Sequence, residues 1–530
     1  MAKKILANGN EAVAHAALAA GVKMGVGYPG TPSTEILETF SKIGGHAQWA
    51  PNEKVALEVG IGAAFGAART MVTMKHVGLN VAADPLFTVA YEKVDGALVV
   101  VVADDPGMAS SQNEQDSRNY ARAAGVVMLE PSSSQEAYDF LGKAIEISER
   151  WNVPVFLRLT TRICHSKTIV ELNDLSKSTV EPHYEINIPE RVMVPALARA
   201  AHGRIVAKIH EIEDWACTPD SGMTFEKDGD KSIGIITSGI SYMYVCDAAP
   251  EAGVLKLNMS YPFPNKIVKD FAAKYDKVII VEEGDRIIEK DCRMIGVEVV
   301  GKPEEFIFGE LDVARTKKLI AGDGSPDAPA PKGRPPQLCV GCPHRYSFQV
   351  LKDLDAIVTG DIGCYTLGVM PPFEKIDTCV CMGGSIGVGL GLRHVLPDDQ
   401  ARKVVSVIGD STFMHSGLTG LLDMVYNRPK TGHVVMVLDN SITAMTGMQE
   451  HPGTGRALDH SAVYQVSIEE VCKGIGVENV ATFDPLKEFE EMKATLKDYL
   501  ENDKIGVIIA RRACIIAAKN IAMYNKQNNK

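Results

Sequence analysis

The chain has 530 residues, 45% of them hydrophobic and 23% charged, which is ordinary globular composition with length for about three or four domains. Its 55 Lys and Arg against 67 Asp and Glu give a formal charge of −12, and the absence of a basic tract argues against a nucleic-acid-binding protein. The opening MAKKILANGN has no apolar signal core and no apolar run approaches the length of a membrane span, so a cytoplasmic chain is expected. Eleven cysteines in a chain of this size do not make a secreted disulfide scaffold, which leaves metal binding, redox chemistry or plain burial.

Residues 1 to roughly 165 alternate helical and strand patterns, the mark of a doubly wound α/β layer. Asn10 is placed to cap a helix through Ala20, and the segment Met24 to Tyr28 runs into Pro29-Gly30-Thr31-Pro32-Ser33-Thr34, where the prolines shape a turn and Ser33 or Thr34 caps the next helix. Asn52-Glu53-Lys54 opens a helix dense in glycine and alanine that permits very close packing. Strands follow at 97–103, 126–129 and 153–159, with a polar loop at 104–116 and a helix at 135–149. From about 166 to 230 the pattern weakens, and the polar insert at 217–231 reads as a surface loop or linker. A second α/β unit begins near Ile233, with strands at 234–239, 254–257 and 278–283, and no acid, base or nucleophile stands out in it. The stretch 321–336, AGDGSPDAPAPKGRPP, is the clearest linker.

Beyond it come Cys339-Val340-Gly341-Cys342-Pro343-His344, Gly360-Asp361-Ile362-Gly363-Cys364 and Cys379-Val380-Cys381-Met382-Gly383-Gly384-Ser385. A lone C-x-x-C serves zinc, redox pairs and burial alike. Cys379 and Cys381 alternate along a strand-like run and are expected on opposite sides as structural residues. Gly383, Gly384 and Gly387 remove side chains where a backbone must approach a diphosphate, and the helix they start offers unpaired amides to it. Then Val404 to Ile408 ends in Gly409-Asp410-Ser411, and Val434 to Leu438 ends in Asp439-Asn440. Both ends would open onto one edge of a parallel sheet, where ligands bind. Two hard oxygen ligands there suit magnesium carrying a diphosphate, against the plainer reading of an ordinary strand-turn-helix unit.

The segment Gly409-Asp410-Ser411 with Asn440, 30 positions after Asp410, resembles the metal-diphosphate motif of thiamine diphosphate (ThDP) enzymes. Tyr28 to Ser33 and Glu53 with its glycine-alanine helix resemble the pyrimidine-binding domain of 2-oxoacid:ferredoxin oxidoreductases. The wording CxGCPHR, GDIGCYTLG and CMGxSIG, with Ser411 in place of the usual glycine, resembles the large (α) subunits of the indolepyruvate type in that family, from the first turn to Arg511-Arg512.

The resemblance implies an α/β multidomain ThDP fold. It comprises a pyrimidine-binding domain (1–170), a transketolase carboxyl-terminal-like domain with a connecting segment (171–320), the linker (321–336) and a diphosphate-binding domain (337–530). It implies that Glu53, with Glu58 the weaker candidate, activates ThDP through the aminopyrimidine ring, and that Thr31 faces the substrate. Asp410, Asn440 and the carbonyl of Ile442 would hold Mg2+, while Gly383, Gly384, Ser385, Gly409 and Ser411 would cradle the diphosphate. Met445 lies where related pyruvate enzymes have a polar substrate contact, which fits an aryl pyruvate, although it could simply pack. His344 would reach the diphosphate or substrate, or else cap or fill the core, and Asp361 is open in the same way. Cys339, Cys342, Cys364 and Cys514 match the family pattern that holds one 4Fe-4S cluster, with separate buried thiols as the alternative.

The family implies a smaller β subunit, coenzyme A as acyl acceptor and a hetero-oligomer containing a dimer of this chain. Large subunits of this type usually carry a ferredoxin-like tail. No cysteine follows Cys514 here, so electrons would pass to ferredoxin or a separate iron-sulfur subunit. A non-oxidative ThDP decarboxylase, lyase or acyl-CoA ligase on the same scaffold is the alternative, and a non-catalytic assembly subunit is a third that Glu53, Asp410 and Asn440 argue against.

Overall fold

The computed structural model describes residues 3–328 and 336–528. Residues 329–335 of the expected linker lie outside the described residues, while Ala321 is the last residue of the helix Val313–Ala321. The chain forms two compact units, Met1–Pro329 and Ala330–Lys530.

The first unit is built on a seven-stranded sheet in the spatial order Met259–Tyr261, Val127–Leu129, Pro154–Thr160, Leu98–Asp104, Thr70–Lys75, Met24–Gly27 and Ala47–Trp49. Every neighbouring pair is parallel except the first. The central strands are buried along their whole length and rich in valine and methionine, as a parallel sheet covered on both faces requires. Met259–Tyr261 comes from the later α/β region, so the edge of the first sheet is completed by chain more than a hundred residues downstream. A four-stranded sheet runs Val278–Val281, Asp230–Ser238, Ala252–Leu257 and Thr224–Lys227, the last antiparallel.

Three local expectations are corrected. Asn8, not Asn10, caps the first helix, accepting from Glu11 N at 2.8 Å, while Asn10 lies inside it and donates to Pro32 O at 2.7 Å. The weakly patterned region holds the 22-residue helix Pro195–Ala216, whose buried stripe is only Ala201, Ile205, Ile212 and Ala216, too narrow to stand out in the sequence. The polar insert contributes the strand Thr224–Lys227, paired with Ala252–Leu257.

Between the two sheets of this unit lies a buried ionic network. Arg118 donates to Asp116 and, at 2.7 Å, to Glu282, and Arg158 donates to Asp104 and Glu130, each at 2.7 Å. Such pairs specify an arrangement more than they stabilise it, but removing one partner strands a charge. Glu283 sits beside them, fully buried, with Oε1 accepting from Leu311 N at 2.9 Å. Burial pushes its carboxyl up from 4.5 to about 7. Between these values the folded state binds more protons than the unfolded state, so this group makes stability fall as pH rises. Glu283→Gln is expected to remove up to about 3 kcal/mol of that decline. Chemical denaturation of both proteins at pH values flanking the window measures it; parallel curves would refute the assignment.

The second unit carries a six-stranded, wholly parallel sheet in the order Thr378–Cys379, Ile357–Gly360, Val404–Gly409, His433–Asp439, Ile505–Arg511 and Asn479–Phe483. Strand order reverses between Ile357–Gly360 and Val404–Gly409. Beyond the carboxyl ends of those two strands lie Asp361 and Asp410, at the point where open α/β sheets bind ligands.

Candidate active site

In the first unit the candidate side chains gather at the carboxyl ends of the parallel strands. Glu53 is the first residue of the helix Glu53–Phe65, whose cap Asn52 accepts from Val55 N at 2.9 Å. It is only 4% exposed, and its carboxyl lies against Gly78, where an added Cβ would come 2.5 Å from Oε1. Glycine at 78 is therefore what makes room for the acid. Glu58 points to the surface and pairs with Lys54, so it is not a second site acid.

The turn bearing Thr31 is pinned from several sides. Ser33 N and Oγ donate to Gly30 O at 2.9 and 3.0 Å, Asn10 holds Pro32 O, and Ser110 Oγ donates to Thr31 O at 3.4 Å. Ser33 occupies the cap position of the next helix, yet its hydroxyl serves the turn instead. Lys75 and His76, which sequence reasoning missed, follow directly from the strand Thr70–Lys75. Lys75 Nζ donates to Ser110 O at 3.0 Å, and His76 Nε2 lies 3.1 Å from Asn113 O. The only sequence signal for them is a cation and a histidine at the end of an apolar strand.

In the second unit Asp410 follows the buried strand Val404–Gly409 and leads into a π-helical turn at Phe413–Gly417, a distortion that recurs at functional sites. Its Oδ2 accepts from Ser441 N at 2.8 Å and lies 3.1 Å from His451 Nε2. Burial opposes ionisation of Asp410, but the contact with His451 outweighs it and holds the carboxyl below its usual range. Asp439 is pushed the other way, to about 6, by burial and by the charge of Asp410. Asn440 Oδ1 accepts from Ile442 N at 3.1 Å, which leaves its amide to face His344 Nε2 at 3.3 Å. Ser411 Oγ accepts from Thr443 Oγ1 at 2.7 Å, tying the two motif arms together. His451 was not found from sequence, because it belongs to neither arm and no spacing rule points to it.

Two expectations about the glycine-rich helix change. Gly383 has φ +82°, and an added Cβ would sit 2.4 Å from Ser416 Cβ, so close approach is real, but it is to the π-helical turn. Gly383 N and Ser385 N donate to Asp361 at 2.8 and 3.0 Å, and Gly384 N donates to Cys381 O. These amides are not unpaired: Asp361, fully buried, satisfies two of them at the helix start. Cys379 and Cys381 do not alternate, because the strand ends at Cys379. Both residues are exposed overall, but their thiols are turned partly inward, Cys379 Sγ donating to Asp361 O at 3.6 Å, and both are raised by partial burial and by the charge of Asp361. Met445 is 51% exposed and so does not serve the core.

Cys339, Cys342, Cys364 and Cys514 line one cavity of about 90 Å³, together with His344 and Asn440. Burial, together with the other members of the quartet, raises the Cys342 and Cys364 thiols to about 11. Cys514 N donates to Asn440 O at 2.9 Å, which attaches the thiol cavity to the second motif arm. His344, buried in this wall, is lowered to about 4 by burial, so it is neutral and accepts from Asn440.

Among the described residues no three His, Cys, Asp or Glu side chains gather as they would around a single ion. The oxygen set of Asp410, Asn440 and a backbone carbonyl nevertheless fits a magnesium ion that completes its shell with phosphate and water. Four thiols around a shared cavity, not around a point, fit a multi-iron cluster, which supplies the positive charge that raised thiols need in order to ionise.

Residues 361–510 match the family "Thiamine pyrophosphate enzyme, C-terminal TPP binding domain", and residues 15–231 match "Pyruvate flavodoxin/ferredoxin oxidoreductase, thiamine diP-bdg". Fold and site thus define a thiamine diphosphate-binding α/β enzyme. The chain is 40% identical, over 97% of its length, to "Indolepyruvate oxidoreductase subunit IorA" of Archaeoglobus fulgidus, of which it covers 87%. It is 38% identical, over 96% of its length, to the relative of the same name in Methanothermobacter marburgensis, covering 86% of that chain. A solved 2-oxoglutarate:ferredoxin oxidoreductase from Magnetococcus marinus shares the fold, with TM-score 0.51 and 16% identity over 61% of this chain and 65% of that one. The chain belongs to the indolepyruvate oxidoreductase IorA family of ThDP-dependent 2-oxoacid oxidoreductases. Among the described residues no helix is long and apolar enough to cross a membrane.

Proposed function

We propose that this chain is the catalytic subunit of a cytoplasmic, indolepyruvate-type 2-oxoacid:acceptor oxidoreductase that converts an aryl pyruvate to its acyl-CoA and passes the electrons to a partner. Bound ThDP supplies the nucleophilic carbon that takes up the 2-oxo group and the sink for loss of carbon dioxide, while an iron-sulfur cluster takes electrons singly. Glu53, buried at the start of its helix against Gly78, would share a proton with the aminopyrimidine ring nitrogen. Asp410, Asn440 and the Ile442 carbonyl would hold Mg2+, with His451 orienting Asp410. Neutral His344 orients Asn440. Cys339, Cys342, Cys364 and Cys514 would hold one 4Fe-4S cluster.

The observation that carries the reading is that Asn440 belongs at once to the metal-diphosphate motif and to the wall of the thiol cavity, through Cys514 and His344. A cluster held by these thiols would lie against the cofactor arm, where an electron outlet is needed. The partners that suit this chemistry are a smaller β subunit, coenzyme A, and ferredoxin or an iron-sulfur electron-transfer subunit, in a hetero-oligomer containing a dimer of this chain. Anaerobic purification with the β subunit should give about four iron atoms per chain and a visible band that bleaches on adding an aryl pyruvate. A protein without iron or bleaching that still releases carbon dioxide from the 2-oxo acid would establish the non-oxidative alternative.

A further inference from the structure

Lys75 stands at the carboxyl end of the strand Thr70–Lys75, beside the two groups of the first unit that bear on chemistry. Its stem lies under the Thr31 turn, so that a Cβ added to Gly30 would meet Lys75 Cδ at 3.1 Å. Glu53 and Asp105 are the carboxylates whose charge it feels. Neither makes an ion pair with it, and among the described residues no other carboxylate does. Asp105 is already engaged by Ser110 N at 2.8 Å, Ser111 Oγ at 2.7 Å and Thr161 Oγ1 at 2.8 Å. Arg118 and Arg158, the buried arginines of the same unit's ionic network, are committed to its acids.

Lys75 is only 8% exposed and makes one hydrogen bond, to Ser110 O at 3.0 Å, although an ammonium carries three donors. A buried cation with two unused donors costs free energy unless an anion meets it. The anion common to every 2-oxo acid is the carboxylate next to its reacting carbonyl. We infer that Lys75 is the residue that recognises the carboxylate of the 2-oxo acid, using the donors left free by Ser110. The inference rests on the 2-oxoacid reading above. It makes Lys75 a ground-state binding residue, because the bond it would grip is the one that breaks, and its loss should register chiefly in KM.

The test uses the enzyme assembled with its partner subunit, with phenylpyruvate as substrate and its carboxamide as competitive inhibitor. Lys75→Gln keeps a donor for Ser110 O and removes the charge. KM for phenylpyruvate should rise by about tenfold to a hundredfold, the range for losing a charged hydrogen bond, while Ki for the uncharged carboxamide changes by less than about threefold. Lys75→Arg should restore most of the affinity for the acid. Equal weakening of acid and amide, as a merely structural role would give, or an unchanged KM, overturns the inference. If neither variant folds, the wild type decides: it should bind the acid at least about tenfold more tightly than the amide, and equal binding overturns the assignment. A wild type without turnover on any 2-oxo acid removes the functional reading, and this inference with it. An active wild type whose Lys75→Gln variant behaves identically removes the inference alone.

Discussion

Glu53→Gln lowers turnover by about 10²- to 10⁴-fold, the range expected when a positioned proton-transfer group is lost, while ThDP still binds. The side chain is the same size, so the contact with Gly78 and the close packing behind it survive. The helix loses a carboxylate from its first turn, worth about 0.3–1 kcal/mol. Activity and stability therefore separate: thermal unfolding shifts little while the chemical step nearly stops. Steady-state kinetics with saturating ThDP, beside a calorimetric melt, checks both halves. Retained turnover would remove Glu53 from the activation role and with it the reading of the Glu53–Phe65 helix as the cofactor-activating element.

Cys364→Ala should bring iron from about four atoms per chain toward zero and abolish bleaching by the 2-oxo acid, with ThDP affinity retained. Cys364 is half-buried in the cavity wall and begins the turn Cys364–Val369, so the lost packing is small beside the lost ligand. Cys342→Ala should behave alike, since both thiols feel the other members of the quartet. Cys217, half-buried in the other unit, is the control, and Cys217→Ser should leave the iron content unchanged. Full iron and bleaching in Cys364→Ala would remove the cavity as the electron outlet.

The two strand-end motifs show how much the chain alone discloses. Gly409-Asp410-Ser411 and Asp439-Asn440 were legible because a buried parallel strand is a nearly continuous apolar run, and the polar residues after it stand out at once. Glu53, the Thr31 turn and the four cysteines were legible by family wording, not by physics, since a lone C-x-x-C has several uses. The helix Pro195–Ala216 was not legible, because its buried stripe is four small or medium side chains among alanines.

What the sequence determined by itself was the α/β class and the residues that meet at the strand ends, for period and punctuation are local properties. Only the tertiary structure decided which partner each polar group takes. It gave the amides of Gly383 and Ser385 to Asp361 and turned Asn440 toward His344. It brought His451 onto Asp410, joined Cys514 to Asn440, and buried Lys75 beneath the Thr31 turn with two donors unspent. Each of these is a contact between groups far apart in the chain or in different elements. Burial sets their energies, because desolvation makes every unpaired donor or charge expensive, and burial is a property of the packed fold that no local stretch of residues contains.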